Sequence, residues 1–335
     1  MELPAGAVVH EGRAALAAGC TLVVKPSPET PLDCFLVADA AEEAGLPPGV
    51  INFVPADRQA GAHLVSHPDV DCVAFTGSTA AGRTIAEACG RLLRPVSLEL
   101  GGKSAAIVLD DADLAGHMEQ LFGACLMNNG QTCWLNSRIL APRSRYDEVV
   151  DAFAGLAGGV TIGDALDPAT QIGPMTGARQ RERVEGYIAK GKAEGARVVV
   201  GGGRPESLER GYFVAPTVLA DVKNSDTVAR EEIFGPVLSV IPYDSDEEAI
   251  AIANDSDYGL GGSVWTSDHE RGLSVARRVQ TGTIGINGYA NDPTAPFGGV
   301  KASGLGRELG PEGMAHFFAV KSIYLDAAQE PPTAG

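Results

Sequence analysis

The chain has 335 residues, 44% of them hydrophobic and 21% charged, with a formal charge of −17. Such a length and composition suit a soluble globular protein of one large or two modest domains with a substantial core. The acidic balance excludes nucleic acid and anionic membrane surfaces as partners, because their phosphates repel it, and no apolar run approaches the roughly 20 residues of a spanning helix.

The start, Met1-Glu2-Leu3-Pro4-Ala5-Gly6, lacks the basic and apolar stretches of a secretory signal, so the expected compartment is the cytoplasm. Six scattered cysteines without a Cys-x-x-Cys argue against a disulfide framework or a zinc ribbon. His63 and His67 have helical spacing, but no Glu follows the first and Pro68 follows the second. They read as solvated helix-end histidines, and no metal site is expected.

In chain order, residues 20–25 read as a buried strand and 32–44 as a helix ended by Gly45 and Pro47-Pro48. Strands follow at 50–54, 71–75 and 95–100, with helices at 61–66 and 79–88 between them. Continuous apolar strands alternating with helices predict a parallel sheet covered on both faces. Beyond Gly101-Gly102 the alternation resumes, with a strand at 105–109 and one long helix over 114–128. Further strands are expected at 137–141, 195–200, 237–243, 262–265 and 282–287, and helices at 146–157, 178–194 and 247–254. Asp110, Asp111 and Asp113 read as carboxylates capping the helix that follows them. The end, from Glu330 on, reads as a frayed tail.

Chemistry concentrates in three places. The strand at 71–75 runs into Thr76-Gly77-Ser78 and then directly into a helix. Glycine lets backbone approach an anion, and a helix N-terminus offers N–H groups and partial positive charge; the same turn is also a good helix cap. No Gly-x-Gly-x-x-Gly follows any expected strand, so the ordinary dinucleotide fingerprint is absent. Cys133 follows Asn128-Asn129-Gly130-Gln131-Thr132, a run suited to a turn at a cleft, where a thiol can act as a nucleophile and its backbone N–H can stabilise an oxyanion. Buried packing is the alternative for a cysteine. Glu99 ends an apolar strand, where a carboxylate is costly unless paired or functional, or else faces solvent.

On these segments the chain resembles the aldehyde dehydrogenase superfamily, over about residues 15 to 325. Leu98-Glu99-Leu100-Gly101-Gly102-Lys103 is similar to its general-base motif, and Gly130-Gln131-Thr132-Cys133 to its nucleophile motif. Val24-Lys25-Pro26-Ser27, Phe75-Thr76-Gly77-Ser78, Glu231-Glu232-Ile233-Phe234-Gly235-Pro236 and the stretch from Pro296 to Glu308 complete six motifs in family order.

The resemblance implies an α/β fold: a truncated Rossmann-like cofactor domain at 1–101 and an α/β catalytic domain at 102–310. A C-terminal segment at 311–335 would carry an oligomerisation strand near 321–326 and join a homodimer or homotetramer. It also implies oxidation of an aldehyde to a carboxylic acid with NAD, through a thiohemiacetal and thioester on Cys133 that Glu99 hydrolyses by activating water. Lys25 would bind the adenosine ribose, Ser78 the pyrophosphate and Glu232 the nicotinamide ribose, with Phe234 near the ring. Ser27, Gly77, Leu100 and Gly101 complete the implied cofactor-binding set.

Two features depart from the family pattern. Three residues after Lys25 stands Pro28 rather than the glutamate that grips the ribose hydroxyls, with Glu29 one place later. That leaves NADP open, although NAD is favoured because no arginine neighbours Lys25 in sequence. Secondly, no Pro-Trp-Asn, the family's source of an oxyanion-hole asparagine, occurs anywhere. A lost oxyanion donor costs roughly a hundred- to a thousandfold in turnover, so a shortened, impaired enzyme with an uncovered sheet edge is expected. A cofactor-independent thiol esterase and a non-catalytic remnant or assembly partner are the alternatives; NAD dependence separates the first from a dehydrogenase. A CoA-acylating relative is disfavoured because Glu99 supplies a base for hydrolysis. Trp134 and Phe297 point to an apolar acyl pocket or to ordinary packing.

Overall fold

The computed structural model describes residues 4–326, with side chains from Glu11 onward. Helix α1 (Pro4–Ala17) leads into strand β1 (Leu22–Val24), helix α2 (Asp33–Glu43) and strand β2 (Ile51–Phe53). Helix α3 (Arg58–Ser66), strand β3 (Val73–Thr76), helix α4 (Thr79–Arg91) and strand β4 (Val96–Glu99) follow. Each helix returns the chain to start a parallel neighbour, as a crossover connection requires. Leu22 lies opposite Ile51, and Val73 opposite Val96. The single N-terminal sheet expected from the alternation is instead two separate parallel pairs among the described residues, β1–β2 and β3–β4.

The second block centres on a seven-stranded sheet of order β12-β11-β5-β6-β9-β8-β7. Its strands are β5 (Ser104–Val108), β6 (Asn136–Pro142), β7 (Arg197–Val200), β8 (Thr217–Ala220), β9 (Val237–Tyr243), β11 (Gly262–Trp265) and β12 (Gly285–Ile286). Only the edge strand β7 runs antiparallel to its neighbour. Helices α5 (Met118–Cys125), α6 (Tyr146–Gly158), α7 (Ala178–Ala193), α8 (Thr227–Arg230), α9 (Asp246–Asn254) and α10 (His269–Ala276) cover it, and α11 (Glu312–Ala315) lies near the end. Side chains alternate between two cores, as the strand period demands. Ile107 and Leu140 join Val184, Ile188 and Val264 on one face; Val108 and Ile139 join Leu121, Phe153 and Trp265 on the other.

Two short ladders complete the fold. Strand β10 (Tyr258–Gly259) pairs with β13 (Val300–Lys301), and β14 (Gly304–Leu305) lies antiparallel on β4, with Gly304 opposite Glu99. The chain thus returns after residue 300 to the strand that carries Glu99. Strand β8 and helices α8, α10 and α11 were not expected from the sequence. Helix α10 had a readable start, since the Asp268 side chain accepts the Arg271 N–H at 3.1 Å.

Other expectations need correction. The long helix over 114–128 is broken into a 3₁₀ turn at Ala115–His117, α5, and a second turn at Met127–Gly130. Asn128 and Asn129 have φ of 52° and 59°, which an α-helix cannot continue. Of the aspartates, only Asp113 caps, accepting the Gly116 N–H at 3.0 Å. Asp111 instead accepts from Thr266, Ser267 and Asp268, and Asp110 pairs with Arg271, because the loop before α10 offers them donors. Residues 321–326 pair with no strand among the described residues, and Ile323 and Tyr324 are exposed. The tail from Glu330 and the first three residues lie outside the described residues. Among the described residues no helix is long and apolar enough to cross a membrane, and no group of three or more His, Cys, Asp or Glu side chains could hold a metal ion.

Candidate active site

Glu99 is the last residue of β4 and is 2% exposed. Its Cα lies opposite Thr76 on one side and Gly304 on the other. Its carboxylate rests against Gly298, where an added Cβ would lie 2.6 Å from Oε1. Beyond it, the Leu100 N–H donates to the Ser303 carbonyl at 2.9 Å, and the buried Ser303 hydroxyl donates to the Gly101 carbonyl at 2.7 Å. The strand end is therefore held from both backbone and side chain.

Cys133 stands at the end of the left-handed Asn128-Asn129-Gly130 turn. Asn129 donates to the Pro174 carbonyl at 3.0 Å and accepts the Gly173 N–H at 2.8 Å. Gln131, 2% exposed, accepts the Thr176 N–H at 3.1 Å. Gly130 has φ of 70°, and a Cβ there would strike the Gly235 backbone. Gly102 is equally tight: a Cβ would collide with the Cys133 carbonyl oxygen. These contacts seat the thiol-bearing turn against the end of β4. Cys133 packs with Trp134, Leu260 and Phe297, and Tyr289 meets Trp134 edge-on at 4.9 Å between ring centroids.

The third part of the site arrives from the turn after α8. Glu232 accepts the Gly102 N–H on Oε1 at 3.0 Å, and a Cβ on Gly101 would lie 2.6 Å from its Oε2. Burial raises the carboxyl above its ordinary range, partly offset by the Gly102 hydrogen bond. Helix α7 holds this turn: Gln180 donates to the Phe234 carbonyl at 2.6 Å, and Arg183 to the Glu232 carbonyl. Phe234 itself sits at φ of 60°. Cys133, Gly102, Glu232 and Phe234 line one small cavity together with Thr132 and Ser137.

The remaining expected cofactor residues sit on the N-terminal elements. Ser78 caps α4, its hydroxyl accepting the Ala81 N–H at 3.3 Å, while the Gly77 N–H donates to the Glu99 carbonyl at 2.9 Å. That bond ties the Gly77-Ser78 turn directly to the β4 end. Leu100 turns inward, packing against Gly82 of α4. Lys25 donates to the carbonyls of Pro26 and Ala56, and its stem lies against Gly61. Ser27 donates to Glu29 at 2.8 Å, and Arg179 of α7 pairs with the same carboxylate at 2.6 Å. An arginine absent beside Lys25 in sequence is thus supplied by the fold near Ser27.

Several groups escaped sequence reasoning. Lys103 is buried, and its Nζ has no hydrogen-bond partner among the described residues. Burial first, then the Arg138 charge, lowers it to about 7. Glu11 of α1 accepts a hydrogen bond from Thr76 at 3.2 Å, beside Glu99. The one available signal for Lys103 was a charged residue opening a run of strand residues; Glu11 gave none.

The aldehyde dehydrogenase family model matches residues 2–323. Geranial dehydrogenase of Castellaniella defragrans is 63% identical over 311 residues, covering 93% of this chain and 65% of the relative. A 3-succinoylsemialdehyde-pyridine dehydrogenase of Pseudomonas sp is 47% identical, covering 92% and 65%. Among solved structures, Mycobacterium tuberculosis aldehyde dehydrogenase complexed with NAD+ superposes with a TM-score of 0.93 at 54% identity, over 95% of this chain and 66% of that one. The chain spans about 65% of the length of the curated relatives it matches.

Proposed function

This chain belongs to the aldehyde dehydrogenase family, and from that premise we propose that it oxidises an aldehyde to a carboxylic acid with NAD, using Cys133 as nucleophile and Glu99 as general base. The observation that carries this reading is the seating of the Cys133 turn on the end of β4, so close that Gly102 has no room for a Cβ. Residues 1–101 act as the cofactor domain and 102–310 as the catalytic domain in this reading, although β14 pairs back across that division.

The residues fit a dinucleotide. Gly77 keeps the turn before α4 thin, Ser78 stands at the N-terminus of that helix, and the buried Glu232 carboxyl offers acceptor oxygens for a ribose. Lys25 and Ser27 would hold the adenosine end, and Gly101 and Phe234 would flank the nicotinamide end, with Leu100 supporting α4 from beneath. When bound, the cofactor supplies the hydride acceptor.

The chain's own residues do the rest. The Cys133 thiolate forms a C–S bond to the aldehyde carbon, and the Cys133 backbone N–H would donate to the developing oxyanion. After oxidation the acyl group is a thioester on Cys133. Glu99 takes a proton from water, the hydroxide oxygen bonds the acyl carbon, and the C–S bond breaks to release the acid.

A cavity of about 470 Å³, lined by Ile284, Ile286 and Phe297 and also by Thr283, Asn291 and Asp292, would take an acyl chain that carries both apolar and polar groups. Tyr289 and Phe297 join that cavity to the packing around Cys133. A relative named geranial dehydrogenase makes an aldehyde of that kind the first to test. NAD is favoured over NADP because Glu29 occupies Arg179. Assembly of copies through the exposed apolar residues Val320, Ile323 and Tyr324, and a cytoplasmic home for its free cysteines, complete the reading.

The test is NAD(P)H formation by the purified chain with a panel of aldehydes, with Cys133→Ala as control. Reduction that vanishes in the variant supports the proposal. Ester hydrolysis by a folded sample without any cofactor reduction would replace it with the esterase reading.

A further inference from the structure

Tyr289 stands between the two cavities of the site. It lines the larger one, of about 470 Å³, and it also packs against the cluster that holds Cys133, Trp134 and Leu260. Cys133 lines the smaller cavity with Thr132 and Phe234, and no residue lines both. An acyl chain bonded to the Cys133 sulfur therefore reaches the larger cavity past the side chains that this cavity and the Cys133 cluster share. Those are Tyr289 and Phe297.

Of the two, Tyr289 is latched through its side chain. Asn287, at φ of 53°, accepts the Thr266 N–H at 2.9 Å and donates to the Thr266 carbonyl at 2.7 Å, tying the loop after β12 to the end of β11. Two residues on, the Tyr289 ring meets Trp134 edge-on at 64°, an arrangement that aromatic quadrupoles favour. Its hydroxyl hydrogen-bonds the Thr283 hydroxyl. Thr283 in turn donates its N–H, at 3.1 Å, and its hydroxyl, at 3.2 Å, to the Leu260 carbonyl. With the one Thr283 hydroxyl proton so committed, the phenol is the donor of the latch, and burial raises it above its ordinary range, so that it keeps that proton. Gly261 gives the phenol its seat: a Cβ there would lie 2.7 Å from the Tyr289 oxygen and 3.1 Å from the Trp134 carbonyl oxygen.

We propose that Tyr289 is a specificity-determining residue of this site, a latched wall that admits aldehydes slim beside the carbonyl carbon and turns away those branched there. An unbranched chain slides along a flat ring, whereas a branch at the adjacent carbon needs volume that the ring occupies. Close-packed surroundings do not yield that volume by small adjustments. The wall stands on the packing; its meaning for substrate choice rests on the reading of Cys133 as the nucleophile.

The experiment reads access to Cys133 first and turnover second. The intact chain, without cofactor, is treated with a slim thiol reagent, iodoacetamide, or a bulky one, N-cyclohexylmaleimide. Each rate is divided by that of the same reagent with glutathione, and mass spectrometry of the Cys133 peptide separates this thiol from the other five cysteines. Tyr289→Ala should raise the bulky-to-slim ratio at Cys133 by at least about tenfold, the discrimination that a methylene-sized contact in a pocket supplies. Thr283→Val, which removes the latch and leaves the ring, should raise the ratio by a smaller factor, and it carries the test if circular dichroism shows that Tyr289→Ala does not fold. A ratio unchanged in Tyr289→Ala, or in Thr283→Val where that variant alone folds, would overturn the proposal, as would equal acceleration of both reagents. In turnover, kcat/KM for an aldehyde branched beside the carbonyl, relative to its straight-chain isomer, should rise in Tyr289→Ala. Should the reagent ratio shift while the unaltered chain oxidises no aldehyde, the dehydrogenase reading falls and the wall stands. Oxidation of both isomers at a relative rate that Tyr289→Ala leaves untouched would keep the dehydrogenase reading and remove the wall.

Discussion

Glu232 reaches back across 130 residues of sequence to accept the Gly102 N–H at 3.0 Å. One carboxylate oxygen thereby satisfies a backbone donor two residues before β5, while the other lies over Gly101. Neither glycine can be replaced without displacing a partner, which explains why a flexible dipeptide separates the strand bearing Glu99 from the sheet beneath Cys133.

The division of labour between Cys133 and Glu99 predicts different failures. Cys133→Ala should give no cofactor reduction at all. Glu99→Gln should retain acylation and lose acid release, so that one equivalent of NADH forms per site before turnover slows by at least about a hundredfold. Rapid-mixing kinetics with mass spectrometry of the acylated Cys133 peptide checks this. Steady turnover by Glu99→Gln without acyl-enzyme accumulation would remove Glu99 from the base role.

Gly130 combines positive φ with a close approach to the Gly235 backbone. Gly130→Ala should therefore destabilise the chain by about 1–3 kcal/mol, through overpacking and strain at that turn. Gly123, which has open space where a Cβ would go, is the contrasting site: Gly123→Ala in α5 should be neutral or slightly stabilising. Urea denaturation of both variants decides the matter, and equal losses would show that the turn tolerates a side chain.

Lys103 predicts a slope of stability with pH. Its folded value of about 7 lies below the ordinary lysine value of 10.5, chiefly through burial. Between those values the unfolded chain holds the extra proton, so stability rises with pH across the window and its gain is lost as pH falls toward 7. Lys103→Met should flatten that slope and raise stability near neutral pH. Thermal denaturation at several pH values from 7 to 10 tests it; parallel curves for the two proteins would mean that the amine stays charged in the fold.

Glu29 holds Arg179 and Ser27 at the expected ribose end. The pair is largely solvated, so Glu29→Gln should change stability by less than about 1 kcal/mol. Freed from its partner, Arg179 becomes available to a phosphate, and the ratio of kcat/KM for NADP to that for NAD should rise several-fold. An unchanged ratio would put Arg179 outside cofactor recognition.

The local signals were legible in the sequence because their causes lie within a few residues. Ser78 caps the helix it precedes, the two left-handed asparagines follow from residues that tolerate positive φ, and the apolar runs at 237–243 and 262–265 match β9 and β11 at both ends. The motif order also pointed to the family. The helix expected over 114–128 failed for a related reason: apolar periodicity continued through a segment whose backbone is turned aside by Asn128 and Asn129.

What the tertiary structure alone decided are the meetings between distant segments. Arg179 reaches Glu29 from 150 residues away, β14 returns to lie on β4, and α1 delivers Glu11 to Thr76. None of these has a periodic or capping signature, because packing of whole helices and strands sets them. The sequence by itself determined the chemistry available, a thiol on a turn and a carboxylate at a strand end. Burial and close approach, which exist only once those elements pack, decided which charges face that carboxylate.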